Sequence, residues 1–283
     1  MTVPTGQPTG QPMGQPMGQP TGQPTGQPTG QPTVLRTPLP TVLPTVLPTA
    51  LRVLRQVRHD HRTIAVLVGL PCVVLGLVAW MFSGTDVLDR FGPVLLGLFP
   101  VIVMFLVTSV ATLRERQSGT LERLMAGPAR RGDVVVGYAL AFALVGSAQA
   151  VVLTAFTVLV CRMDVTGDLG GVVLVAVLDA VLGTALGLAA SAVARTEFQA
   201  VQMMPLVLFP QLVTAGLFLP RDQMPAVLEA VSRAMPLTYG IDALQDLAAG
   251  ASLGDVTGAV GAVVAFIVGA LVVGTLTLRR RTP

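Results

Sequence analysis

"RERQSGTLERLMAGPARRGD" (Arg114–Asp133) sets five arginines and three acids in a short island between two stretches that water would reject. Residues 93–113 precede it and residues 134–160 follow it, and both are long apolar runs. Four more such runs occur, at 63–82, 171–193, 200–219 and 256–278. Each suits a helix crossing a hydrocarbon layer about 30 Å thick, which needs about 20 residues. A backbone in lipid must satisfy its own hydrogen bonds, and no alternating ten-residue barrel pattern is present. The expected fold class is an all-α polytopic membrane protein with six transmembrane helices.

Composition agrees. The 283 residues are 52% hydrophobic and 12% charged, about half the charge of an ordinary soluble domain. All eighteen basic residues are arginine, and lysine and asparagine are missing. The net charge of +3 does not point to nucleic acid, because the arginines gather at the ends of apolar runs, where membrane topology explains them. Fourteen lie on one side: Arg36, the stretch 52–62, the island, Arg195 and the tail 279–281. Arg90, Arg162, Arg221 and Arg233 lie on the other. The richer side is expected to be cytoplasmic, so both termini and the island face inward.

Residues 5–32 are seven tetrads of TGQP or MGQP, and a four-residue rhythm continues through "TPLPTVLPTVLPTA". Proline at that spacing opposes both helix and sheet, so residues 1–48 are expected to be a disordered tail. Residues 49–62, with Leu51, Leu54 and Val57 at helical spacing among four arginines, are expected to form a basic amphipathic helix on the membrane surface. The permease domain is then residues 63–283.

Within the island, Leu121, Leu124 and Met125 share a helical face, and Gly127-Pro128 stops the helix. The outer loop 220–255 holds two short amphipathic stretches, one with Met224, Val227, Leu228, Val231 and Met235, the other with Ile241, Leu244 and Leu247. Both are too short to span and are expected to dip into the outer leaflet and return before the last span. Asp179 stands eight residues inside the fourth span, roughly 12 Å deep. An acid there must face a partner or a wet path, so it is a candidate transport-pathway or proton-relay residue, with a protonated structural hydrogen bond as the plain alternative. Gly183 and Gly187 form a GxxxG on the same span, expected to serve close packing within one bundle.

Cys72 and Cys161 make neither a disulfide framework nor a zinc site, and the spacing of His59 and His61 is wrong for a helical metal pair. No metal and no cofactor is expected. The spans hold no HExxH or GxSxG, and without lysine no Walker A loop is possible. The chain is not expected to be an enzyme, and any ATP hydrolysis belongs to a partner.

Residues 50–278 resemble the permeases of type-2 ATP-binding-cassette exporters, the group that includes daunorubicin-resistance permeases. Three stretches carry the resemblance: "RHDHRTIAVLVGLP", "ERQSGTLERLMAGPARRGDVVVGY", and "RTEFQAVQMMPLVLFPQLVTAGLFLPRDQMP" followed by "MPLTYGIDAL". Tyr138 stands where the family usually has lysine, Met235 where it has asparagine, and Gln245 where arginine is common. The resemblance implies a multi-pass protein of the bacterial plasma membrane, a second permease copy forming a dimer, and a separate ATPase subunit. It implies that the island helix docks in the ATPase, with Leu121 and Leu124 seated and Glu122 and Arg123 at the contact. It also implies drug efflux or export of a hydrophobic or amphipathic natural product, with lipid or glycan export second. The rival expectation is a proton-coupled secondary transporter that uses Asp179.

Overall fold

The structure is a computed structural model that describes residues 43–118, 131–216 and 223–279. All of them belong to one compact unit, Thr41–Pro283. They form nine helices and no strand among the described residues: α1 Leu43–His59, α2 His61–Met81, α3 Val87–Gln117, α4 Arg131–Leu159, α5 Leu169–Val193, α6 Glu197–Thr214, α7 Ala226–Arg233, α8 Pro236–Ala248 and α9 Thr257–Arg279.

Five of these are long and apolar enough to cross a membrane: α2, α3, α4, α5 and α9. They coincide with five of the six expected runs to within a few residues, α3 extending further at both ends. The remaining run, 200–219, is represented by α6, whose Gln199, Gln202, Gln211, Pro205 and Pro210 lower its hydropathy. Residues 217–219 lie outside the described residues.

The first helix corrects one boundary. It begins at Leu43 rather than 49, carries Pro48 inside, and stops at His59. A proline removes one backbone hydrogen bond, and here Val46, Thr49, Ala50 and Val53 are buried. A Cβ at Gly137 of α4 would lie 3.0 Å from the carbonyl oxygen of Val46 and 2.9 Å from Cβ of Thr49. That close seat on α4 holds a helix that local propensity opposes. Asp60 then separates α1 from α2, its carboxylate accepting from the backbone N–H of Thr63 at 3.1 Å and from the Thr63 hydroxyl at 2.6 Å. Those bonds hold the Asp60 carboxyl below its usual range.

α3 and α5 form the centre. Added Cβ atoms at Gly183 and Gly187 of α5 would lie 2.5 Å and 2.7 Å from the carbonyl oxygens of Val101 and Phe105 on α3. The GxxxG therefore joins two helices of one chain, as expected. Asp168 caps α5 by accepting from the N–H of Gly170 at 2.9 Å. Thr196 caps α6 through the N–H of Gln199, and the Gln199 side chain accepts in return from the N–H of Arg195.

α2 and α9 are peripheral. They expose Val66, Leu70, Val73, Leu77 and Trp80 on one and Val264, Val268, Val272 and Leu276 on the other, apolar faces suited to hydrocarbon rather than water. Residues 65–69 of α2 form a π-turn. Pro71 has no N–H for the carbonyl of Leu67, and the side-chain amide of Gln149 on α4 donates to that oxygen at 2.8 Å.

Candidate functional site

Residues 119–130, and with them Leu121, Glu122, Arg123 and Leu124, lie outside the described residues. What the structure describes is the end of α3 that leads into them. Four consecutive residues there reach different parts of the fold. Arg114 donates from Nε and Nη2 to the two carboxylate oxygens of Glu197 at the start of α6, at 2.8 and 2.9 Å. Glu115 accepts from Arg52 Nη2 of α1 at 2.8 Å and from the Tyr138 hydroxyl of α4. Arg116 donates to the carbonyl of Ser191 near the end of α5. Gln117 donates to the carbonyl of Arg195 in the α5–α6 turn at 2.9 Å. The helical repeat explains this reach: successive side chains point about 100° apart, so four in a row address α1, α4, α5 and α6.

Glu115 is largely enclosed, its side chain 13% exposed. Burying a carboxylate is costly unless it is paired and hydrogen-bonded. Here the cation comes from Arg52, which also donates to the Tyr138 oxygen at 2.6 Å, while Tyr138 donates a neutral hydrogen bond. No local sequence signal marks this cluster, whose members lie far apart in the chain.

Asp179 lies on α5 with no exposed surface, and neither carboxylate oxygen has a hydrogen-bond partner. Two glycines enclose it. A Cβ at Gly97 of α3 would sit 3.0 Å from Oδ2, and one at Gly240 of α8 would sit 2.1 Å from Oδ1. The structure thus places Asp179 inside the helix bundle, sealed by α8, and well away from the cluster at the C-terminal end of α3.

The two short helices α7 and α8 behave differently. α8 buries Leu237, Ile241, Leu244 and Leu247 against α3 and α5. α7 leaves Val227, Leu228 and Val231 exposed. Met235 precedes α8 without a capping hydrogen bond, as a methionine side chain offers no good acceptor there. Gln211 of α6 substitutes: its Oε1 accepts from the N–H of Leu237 at 3.2 Å, and its amide donates to the Val207 carbonyl at 2.9 Å.

The sequence profile of the ABC-2 type transporter family matches residues 50–248, which contain both the cluster at the C-terminal end of α3 and Asp179. The chain belongs to the ABC-2 type transporter family. It is similar to ABC transporter G family member 20 of Dictyostelium discoideum, 29% identical over 160 residues, which are 56% of this chain and 22% of that protein. It is also similar to the probable multidrug ABC transporter permease YbhR of Escherichia coli K12, 25% identical over 150 residues, 53% of this chain and 41% of that one. Nodulation protein J of Rhizobium leguminosarum bv. trifolii is 33% identical over 96 residues, 34% of this chain and 37% of that one. The matched regions cover well under half of these relatives' lengths. As a member of this family the chain is a membrane component of a transporter.

Proposed function

We propose that this ABC-2 permease is the membrane subunit of an exporter that moves a hydrophobic or amphipathic drug, natural product or lipid-like cargo outward across the plasma membrane. A separate ATPase supplies the energy through the island helix, with Leu121 and Leu124 seated in it and Glu122 and Arg123 at its surface. The observation that carries the reading is the inner end of α3: residues 114–117 tie the base of the island to α1, α4, α5 and α6. A push on the island then reaches every one of those helices at once. In this reading α6 is the fifth of six spans, both termini are cytoplasmic, and α7 and α8 form the outer re-entrant pair. A second permease copy meets the exposed face of α6, where Phe198, Val201, Leu206 and Phe209 stand beside the polar Gln202.

The test substitutes Leu121→Asp and Leu124→Asp. Burying a leucine contributes about 1.5–3 kcal/mol, so each variant should insert yet lose ATPase co-purification and ATP-driven transport in reconstituted vesicles. Wild-type recruitment and export by both variants would reduce the island to a topological anchor. The second reading, a proton-coupled transporter, rests on Asp179. It requires transport driven by a proton gradient without any ATPase, which the same vesicles can measure.

A further inference from the structure

Three helices line one fissure, and each brings it an apolar stripe that ends in a polar group. The fissure has a volume of about 370 Å³, within the range of ligand sites, about 300–1,000 Å³. From α3 it takes Leu106, Val110 and Arg114, one helical face about 12 Å long. From α1 and the elbow after it come Val53, Val57 and Asp60. From α4 come Phe142 and, one turn closer to Glu115, Tyr138. The fissure is thus apolar along its length and polar at one end, and that end coincides with the end of a candidate span. An amphipath with its head at the membrane boundary and its chain toward the middle of the bilayer meets like with like throughout.

Charge at the polar end selects the head. Glu115 is already satisfied by Arg52 and Tyr138. Arg114 gives Nε and Nη2 to Glu197, and a guanidinium has five N–H donors, so those of Nη1 remain. Asp60 accepts from the Thr63 hydroxyl and backbone N–H but forms no ion pair among the described residues. The bonds to Thr63 hold its carboxyl below the usual range, so it is anionic at neutral pH. A carboxylate has about four acceptor sites, so it can still accept. One end of the fissure therefore offers both a cation with spare donors and an anion with spare acceptors.

We infer that this fissure binds a phosphatidylethanolamine lipid of the leaflet in which α3 ends: an acyl chain along Leu106, Val110 and Phe142, the phosphate at Arg114 Nη1, and the primary ammonium at Asp60. The site needs α3 and α4 to span a membrane and asks nothing of an ATPase or of transport. It and the exporter reading therefore fail independently.

The test is native mass spectrometry of the full-length permease in detergent, titrated with phosphatidylethanolamine, phosphatidylcholine and phosphatidylglycerol of identical chains. Phosphatidylethanolamine should bind at least about fivefold tighter than either, since only its ammonium has N–H groups to donate to Asp60. Asp60→Asn should reduce it to the level of phosphatidylcholine, while asparagine keeps the cap that Asp60 gives α2. Val110→Trp, at a half-buried position, should fill the apolar part and weaken all three lipids. Should that variant fail to fold, Asp60→Asn decides the matter. Glycerophosphoethanolamine, the head without chains, should not displace the lipid at equal concentration. Preference for phosphatidylglycerol would mean a plain basic surface on α1 and overturns the inference. So does an ethanolamine preference that survives Asp60→Asn, binding unchanged in a folded Val110→Trp, or displacement by the chainless head.

Discussion

Arg114 and Glu197 clasp the C-terminal end of α3 to the first residue of α6 through two parallel hydrogen bonds. The planar guanidinium matches the carboxylate fork, which fixes direction as well as distance. The pair is solvent-exposed, so its worth is geometric, not a large stability gain. Arg114→Glu should leave the chain inserted and weaken transport, and adding Glu197→Arg should restore it. Failure of the double exchange to recover transport would show that the clasp does not transmit. Arg114 holds the Glu197 carboxyl below the usual glutamate range. A lowered carboxylate contributes above its unfolded pKa and loses that contribution as pH falls through its folded one. The clasp is therefore intact at neutral pH and opens only below the ordinary glutamate range.

The buried cluster under it makes a rescue possible. Arg52→Ala leaves Glu115 without a cation and should lower stability, typically by about 1.5–3 kcal/mol for a hydrogen bond to a charged group. Tyr138→Lys in the same chain should recover most of that, by placing a base where Tyr138 stands. Thermal unfolding in detergent of the single and double variants measures it, and no recovery means that Arg52 acts elsewhere.

Gly240→Ala would put a methyl carbon 2.1 Å from Asp179 Oδ1. Overpacking of this kind costs about 1–3 kcal/mol. Combining it with Asp179→Ala should remove most of the penalty, because the clash is with that one side chain. Gly261→Ala on α9, with nothing within 4 Å, should be neutral or slightly stabilising. Equal damage from both alanines would point to helix flexibility instead.

Single cysteines should distinguish protein from lipid around the outer helices once Cys72 and Cys161 are replaced. Leu244 is covered by protein and Val227 is exposed on α7, yet in membranes both should label far more slowly with an impermeant thiol reagent than a cysteine at Asp255. Fast labelling at Val227 alone would place α7 in water.

Truncation tests where the tail ends. A chain starting at Thr41 should insert and transport normally. One starting at Ala50 loses Val46 and Thr49, both buried on α4, and should be less stable, since a buried valine contributes about 1.5–3 kcal/mol. Equal behaviour of the two would make the first two turns of α1 dispensable.

The spans were legible because lipid selects residue type directly: a run of valine, leucine and alanine long enough to cross cannot hide. The pairing of Gly183 and Gly187 with a neighbour was legible for a related reason, since only small residues let backbones approach. Asp179 stood out by its surroundings, but its enclosure by Gly97 and Gly240 did not, because those residues are far from it in the chain and glycine carries no chemistry to notice. The contacts of Glu115 were hidden in the same way, lying 63 and 23 residues off. The start of α1 was misjudged because the proline rule is local, while the seat that Gly137 provides is tertiary.

The bond from Gln149 to the Leu67 carbonyl also orders events in time. Synthesis runs from the N-terminus, and Gln149 is 82 residues downstream of Leu67. When α2 first meets the bilayer, the donor that Pro71 withholds has not yet been made, and an unpaired carbonyl in hydrocarbon costs several kcal/mol. Gln149→Leu removes that donor and should lower the stability of the folded permease, even though the substitution makes α4 more hydrophobic.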